Sequence, residues 1–261
     1  MLELVCDAFG RLPTLSATVR SWTNYERHQQ ALDAAHRAGD PRVSMLISPK
    51  ARNESGEYEH TEHLVIAPHQ GAYRVEWPKA NDSSPGRLDI YDGTNAWMLI
   101  GPGEVMARPP ANLLRFPSDR LLDPSWLARY TWDPPVKDRC NGRDVLQIRA
   151  RLNSGPRPPR RTERPEPAEV DVAIDAHLGF LHRMTELVDG LPFHEVELLD
   201  VVLNPPIDQR TFQIDESKLR IVSPDEWQRR HGPPPARRAW WALKSRLRHP
   251  LRRRSGQPKA T

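Results

Sequence analysis

Between Ala168 and Phe212, hydrophobic and polar positions alternate in three runs separated by tight breaks. Val170, Val172 and Ile174 alternate with Asp171, Ala173 and Asp175, the period-2 pattern of a strand with one buried face. Ala176-His177-Leu178-Gly179 turns the chain into a second run, Phe180 to Val188. Asp189-Gly190 then marks a tight hairpin, because glycine accepts the positive φ such turns need. The third run, Phe193 to Leu203, is closed by Asn204-Pro205-Pro206, since proline has no N–H for a ladder.

The same reading predicts a meander upstream. Leu15, Ala17 and Val19 alternate with Ser16, Thr18 and Arg20 in a first strand running towards Trp22. Further strands are expected at Val43 to Ser48, Tyr58 to Ala67, Ala72 to Trp77, Arg87 to Tyr91, Ala96 to Ile100, Glu104 to Arg108, Thr131 to Arg139 and Val145 to Leu152. Turn residues such as Gln70-Gly71 and Asp92-Gly93 separate them. Helical spacing marks Leu2 to Leu12, and Tyr25 to Ala38, which Gly39-Asp40-Pro41 stops. One or two short helices are expected within Pro110 to Tyr130, where Asp123-Pro124 supplies an N-cap and a first-turn proline. Asn153 to Pro167, with five Pro and four Arg, reads as an exposed hairpin loop lacking apolar residues to offset ordering entropy.

Charge divides the chain. The formal total is +4, but nine Arg and two Lys with no acid give residues 227–261 a charge of +11, leaving −7 for residues 1–226. The body is therefore not basic, and its average does not point to nucleic acid. We divide the chain into a folded domain over 1–226 and, over 227–261, a Pro-rich spacer at Pro233-Pro234-Pro235 followed by a basic tail. Two distant cysteines, Cys6 and Cys140, form no disulfide framework. With no basic leader, no signal-peptide apolar run and no membrane-length apolar segment, the expected location is cytoplasmic.

Chemical motifs are sparse. Neither a nucleophile elbow nor a phosphate loop is present, so no catalytic residue and no cofactor is assigned. His60, Glu62 and His63 miss the helical zinc spacings and read as solvated edge residues. His177, His182 and His194 are scattered and read as structural. Asp171 and Asp175, like Glu195 and Glu197, are expected on solvated polar strand faces. No metal site is expected.

Several short segments, in order, carry a family resemblance: Asp92-Gly93-Thr94-Asn95-Ala96-Trp97, Leu122-Asp123-Pro124-Ser125-Trp126-Leu127, Gly142-Arg143-Asp144-Val145, Val172-Ala173-Ile174-Asp175, Gly190-Leu191-Pro192 and Asn204-Pro205-Pro206-Ile207-Asp208. Over roughly Leu15 to Phe212 the chain resembles the LolA/LolB-like lipoprotein-carrier superfamily, including the amino-terminal domain of RseB-type regulators. The resemblance implies an α+β fold: a single curved antiparallel sheet, an unclosed half-barrel, covered on its concave face by short helices. It also implies a hydrophobic cavity and a non-catalytic role in binding acyl chains or lipidated partners. Trp77, Trp97, Met98, Met106, Trp126, Trp132, Phe180, Met184 and Phe193 are the candidate lining, with ordinary core as the alternative use of the same residue types.

The tail carries a separate signal. As a helix over Ala236 to His249 it places Trp240, Leu243 and Leu247 on one face, with Trp241 beside them. Arg237, Arg238, Lys244, Arg246 and Arg248 spread over the rest, the pattern of an interfacial helix on anionic lipid. The leading expectation is a lipid- or acyl-binding protein docked peripherally on the inner membrane face. The alternatives are a regulatory or scaffold module with a packed sheet whose tail binds an acidic partner or nucleic acid, and a tail that only solubilises.

Overall fold

The computed structural model describes residues 5, 8, 11–37, 56–78, 87–101, 103–108, 119–122, 124–153, 167–214 and 219–231. The predicted strand Val43 to Ser48, most of the predicted helix Leu2 to Leu12, the loop interior after Asn153, the cap Asp123 and the tail beyond residue 231 lie outside them.

Among the described residues, thirteen strands form one sheet. They are β1 (Leu15–Asn24), β2 (Glu57–Ala67), β3 (Ala72–Trp77), β4 (Arg87–Tyr91), β5 (Ala96–Gly101), β6 (Glu104–Arg108), β7 (Tyr130–Trp132), β8 (Val136–Cys140), β9 (Arg143–Leu152), β10 (Glu169–Asp175), β11 (Leu181–Val188), β12 (Leu191–Leu203) and β13 (Arg220–Val222). The helices are α1 (Tyr25–Arg37), α2 (Asp119–Leu122) and α3 (Pro224–His231), with 3-10 turns at Pro124–Arg129 and Gln209–Phe212. Strand β1 lies at the centre, joining the meander β2–β6 on one side to β12, β11, β10 and β9 on the other. Strands β7 and β8 both pair with β9.

Alternation explains the layering. Leu15, Ala17 and Val19 of β1, Leu64 and Ile66 of β2, Val172 and Ile174 of β10, and Val196 and Leu198 of β12 share one buried core with Leu121, Trp126 and Leu127 of the covering turns. A sheet face this apolar must be covered, and α1, α2 and the Pro124–Arg129 turn cover it, making an unclosed α+β half-barrel. On the outer face a smaller cluster joins Val65, Ala67, Ala72, Ile90 and Phe212. The segment after β12 crosses that face, and Arg74 donates to the Thr211 carbonyl at 3.1 Å.

Two departures from the expected strands have local causes. The run Thr131 to Arg139 is two strands, because Pro134 and Pro135 cannot donate to the ladder; Asp133 before them still donates its amide to the Arg149 carbonyl at 2.9 Å. The sheet is also not wholly antiparallel. The returning chain adds β13 parallel to β6 at the sheet edge, with Ile221 opposite Val105. Helix α3 follows and is tied back by Arg230, which pairs with Glu104 at 2.8 Å and with Glu226.

The hairpin at Asp189-Gly190 is as predicted. Both residues take positive φ, 51° and 74°, which matches the strand twist. Among the described residues, register shifts interrupt four pairings, two of which matter here. In β11, Ala173 opposes Arg183 while Ile174 opposes Leu181, so His182 is an extra residue. In β12, Ser16 opposes Val202 while Thr18 opposes Leu199, leaving Asp200 and Val201 against Ala17 alone, with Asp200 at φ 49°. Bulges of this kind bend and twist a sheet locally.

Candidate functional site

Pairing register sorts the candidate lining residues by face. Val75 opposes Asp89, Asp89 opposes Met98, and Met98 opposes Met106, so these side chains form a row on the concave face that starts from the core residue Leu64. Met106 is buried and Met98 is half-buried. Trp77, two residues beyond Val75, shares this face and packs against the core while half-buried. Asp89 is a buried carboxylate within the row.

The other candidates lie deeper or elsewhere. Phe180 and Met184 are fully buried in the main core. Trp126 stacks edge-on to Tyr130 at 5.5 Å and donates its indole N–H to the Arg120 carbonyl at 2.9 Å. Trp132 donates to the Leu127 carbonyl at 3.2 Å. Phe193 is stacked on His28 of α1 at 5.8 Å. Trp97 opposes Ile90 and belongs to the outer cluster, so it falls on the opposite face from Met98. The membrane-binding candidates Arg237, Arg238, Trp240, Trp241, Leu243, Lys244, Arg246, Leu247 and Arg248 lie outside the described residues.

Polar residues are where the structure corrects the sequence reading most. Glu62, expected as a solvated edge residue, is 1% exposed. Its strand is interior, paired with β1 on one side and β3 on the other. Glu62 opposes Val19 and is in phase with Leu64 and Ile66, so it points into the core; His63, on the other face, is exposed. Glu186 is buried against β10 and pairs with Arg120 of α2. Asp175, expected on a solvated face, is also buried. It accepts from Arg143 Nε at 2.7 Å and from the amides of His177 and Leu178 at 3.0 and 2.8 Å. Burial alone would raise its pKa, but the Arg143 hydrogen bond and the two amides outweigh burial and hold the carboxyl below its ordinary value. Asp171 meets expectation: it is half-buried and bound by both arms of Arg149 at 2.8 Å.

Glu197 is the other buried carboxylate that was expected in solvent. The sequence phase is right, since its neighbours Val196 and Leu198 belong to the core and Glu197 faces outward. The burial comes from the β8–β9 hairpin, which curls over the outer face until its tip reaches β12. Asn141 Nδ2 donates to Glu197 Oε1 at 3.0 Å and to the Leu198 carbonyl at 3.2 Å. Cys140 Sγ donates to Glu197 Oε1 at 3.2 Å, and Arg20 bridges Glu195 and Glu197 at 2.8 Å each. His182 lies in the same place, fully buried, and neither ring nitrogen has a hydrogen-bond partner among the described residues. Its ring stacks on Phe180 at 6.1 Å, and burial lowers its pKa. One ligand atom from each of Cys140, His182 and Glu197 lies within 4.8 Å of the others. Burial first, and then the Glu197 contact, push the Cys140 thiol up to about 11. The thiol is thus protonated at neutral pH, unlike an activated nucleophile. An open cavity of about 550 Å³ adjoins this group, bounded by His182, Asn141, Arg143 and the bulged segment of β12.

Among the described residues, then, the molecule is a curved sheet with a largely apolar concave face and one buried polar cluster outside it. No family model and no curated protein matches the chain. Solved structures do resemble it, and the LolA-like likeness read in the sequence recurs among them. An uncharacterized conserved protein from Thermus thermophilus is 11% identical over 85% of this chain and 96% of its own, at a TM-score of 0.47. MucB in the Pseudomonas aeruginosa MucA/MucB complex is 14% identical, covering 85% and 62%, at 0.44. A LolA superfamily protein from Nitrosomonas europaea is 9% identical, covering 82% and 96%, at 0.37. The chain spans under two thirds of the MucB chain.

Proposed function

We propose that this protein is a non-catalytic binder of an apolar ligand, a lipid acyl chain or a lipidated partner, held on the β3–β6 half of the concave face. One observation carries the reading. Beyond the core residues Leu64 and Val75, the concave row presents Trp77 and Met98 half-buried beside Met106, with the single buried carboxylate of Asp89 set among them. Unbranched Met and a broad Trp ring adapt to a flexible chain better than branched residues do. The basic tail then docks the protein on an anionic membrane surface, each near-surface cation adding about 1 kcal/mol.

Two experiments separate these parts. A fluorescent fatty acid titrated into delipidated full chain is expected to bind with quenching of Trp fluorescence, and Met98→Asp is expected to weaken it at least about tenfold by placing a charge on an apolar wall. Absence of saturable binding to the wild type refutes the ligand reading. Co-sedimentation with anionic vesicles, compared between the full chain and a chain ending at His231, tests the tail. The cut falls after α3 so that the Arg230 pairs survive. Binding that persists without the tail, or is absent at low salt, refutes membrane docking. The second reading, a packed regulatory or scaffold module, is favoured by the full burial of Phe180, Met184, Leu127 and Leu198; a wild type that binds no fatty acid leaves that reading standing.

A further inference from the structure

The polar cluster on the outer face needs an explanation that the acyl-binding reading does not supply. Three unrelated backbone features converge there. The hairpin turn Asn141-Gly142, with φ 49° and 78°, delivers Cys140 to β12. The β11 bulge turns His182 out of the regular alternation. The outward phase of β12 presents Glu197 to both. A buried imidazole with neither nitrogen bonded is costly, because each desolvated polar atom has lost water and gained nothing. His182 is in that position, fully buried beside an open cavity, and the soft sulfur and hard carboxylate of its neighbours lie within 4.8 Å.

We propose that Cys140, His182 and Glu197 form a three-residue site for a zinc-class transition metal ion, with its fourth position open to the cavity. Thiolate, imidazole and carboxylate are the ligand types such an ion takes, whereas magnesium and calcium take oxygen cages. Tetrahedral bonds of about 2.0 to 2.3 Å hold ligand atoms roughly 3.5 Å apart. Cys140 Sγ and Glu197 Oε1 already lie at 3.2 Å, so closure falls mainly to the His182 ring. As the sulfur–metal bond forms, the thiol proton leaves to solvent and Glu197 Oε1 exchanges that hydrogen bond for the ion. Thiolate and carboxylate then balance the dication. Of the neighbouring cations, Arg20 keeps Glu195 at 2.8 Å and Arg143 keeps Asp175 at 2.7 Å, while Arg183 donates to the Gln147 amide oxygen at 3.2 Å. Asn141 and Arg20 orient the Glu197 carboxylate from outside the ligand set, as supporting hydrogen bonds do in metal centres.

The test is Co²⁺ titration of the reduced, chelator-stripped full chain. The expected result is one equivalent bound, a near-ultraviolet sulfur-to-cobalt charge-transfer band, visible bands of tetrahedral intensity, and displacement by Zn²⁺. Cys140→Ser is expected to abolish the charge-transfer band and Cys6→Ser to keep it, while His182→Ala weakens binding by more than about tenfold. A wild type without the band overturns the proposal whatever the variants do. So does a band that survives Cys140→Ser, or one lost with Cys6→Ser in a protein whose thermal melt is unchanged. The site lies on the opposite face from Met98, so it stands or falls separately from fatty-acid binding.

Discussion

Replacing Arg143 with Met tests whether the buried end of β10 depends on a compensated charge. Asp175 has a side chain only 1% exposed, and among the described residues Arg143 is the one side chain bonded to it, at 2.7 Å. Breaking a fully buried pair by removing one partner costs about 3–5 kcal/mol. Arg143 is 28% exposed, so solvent screens part of its contribution, and the His177 and Leu178 amides remain. We therefore expect Arg143→Met to cost about 2 kcal/mol at pH 7. The pH dependence gives the sharper check. The folded pKa of Asp175 is depressed, so its contribution is fully present above the unfolded carboxyl value of about 3.9 and is lost as pH falls through the lower folded value. Without Arg143 the folded pKa rises, so the difference between variant and wild type shrinks on acidification below about pH 4. What survives in acid is the packing of the guanidinium over Phe180, at 5.6 Å. Urea unfolding at pH 7 and in acid, with Asp175→Asn and the double variant closing a cycle, measures the coupling. A cost below about 0.5 kcal/mol at pH 7, or one that stays constant into acid, refutes the reasoning.

Other expectations follow from contacts of the same kind. Arg120→Ala removes the ion pair to the buried carboxylate of Glu186 that ties α2 to β11, so about 3 kcal/mol is expected by urea denaturation; Arg120→Lys should recover part of it. Gly93→Ala places a Cβ 2.4 Å from the Gln70 carbonyl oxygen at φ 95°, and a loss of roughly 2–3 kcal/mol is expected from the clash and the disallowed backbone together. Phe180→Ala opens a cavity in the densest part of the core, where Phe180 is fully buried, and should cost about 3–5 kcal/mol in a thermal melt.

The strands were legible because alternation is strong where one face is buried. Arg87–Tyr91 and Ala72–Trp77 match the predicted limits. Where proline falls inside an alternating run, as at Pro134 and Pro135, the pattern overstates the strand. Two site errors were avoidable from phase alone. Trp97 and Met98 are neighbours in one strand, and adjacent strand residues face opposite ways, so both cannot line one cavity. Glu62 keeps step with Leu64 and Ile66, which marks it as inward despite its charge. Glu197 and His182 are a different case. Period 2 puts Glu197 on the outer face correctly, but only the curl of the β8–β9 hairpin buries it. The extra residue in β11 breaks the period at His182, and no local signal in the run Phe180 to Val188 announces that bulge.

That link between curvature and chemistry bears on how the outer face is used. Across β1, β12, β11, β10 and β9 this face carries a charged and polar ladder: Arg20 with Glu195 and Glu197, Arg183 with Gln147, Arg149 with Asp171, and Arg151 with Asp133 and Glu169. Such a ladder keeps a broad sheet face in water and discourages another sheet from stacking on it. The ladder gives way at one place, where the bulges at His182 and Asp200 bend the sheet and the hairpin tip at Asn141 closes over the bend. A flat sheet would leave Cys140 three strands away from Glu197, because β9, β10 and β11 separate β8 from β12 in pairing order. With neighbouring strands about 4.8 Å apart, that separation spans nearly 20 Å along the sheet, yet the sulfur and carboxylate sit 3.2 Å apart. The cluster therefore exists only because the sheet is curved. The bend that makes one face of the sheet concave also assembles the polar cluster behind it.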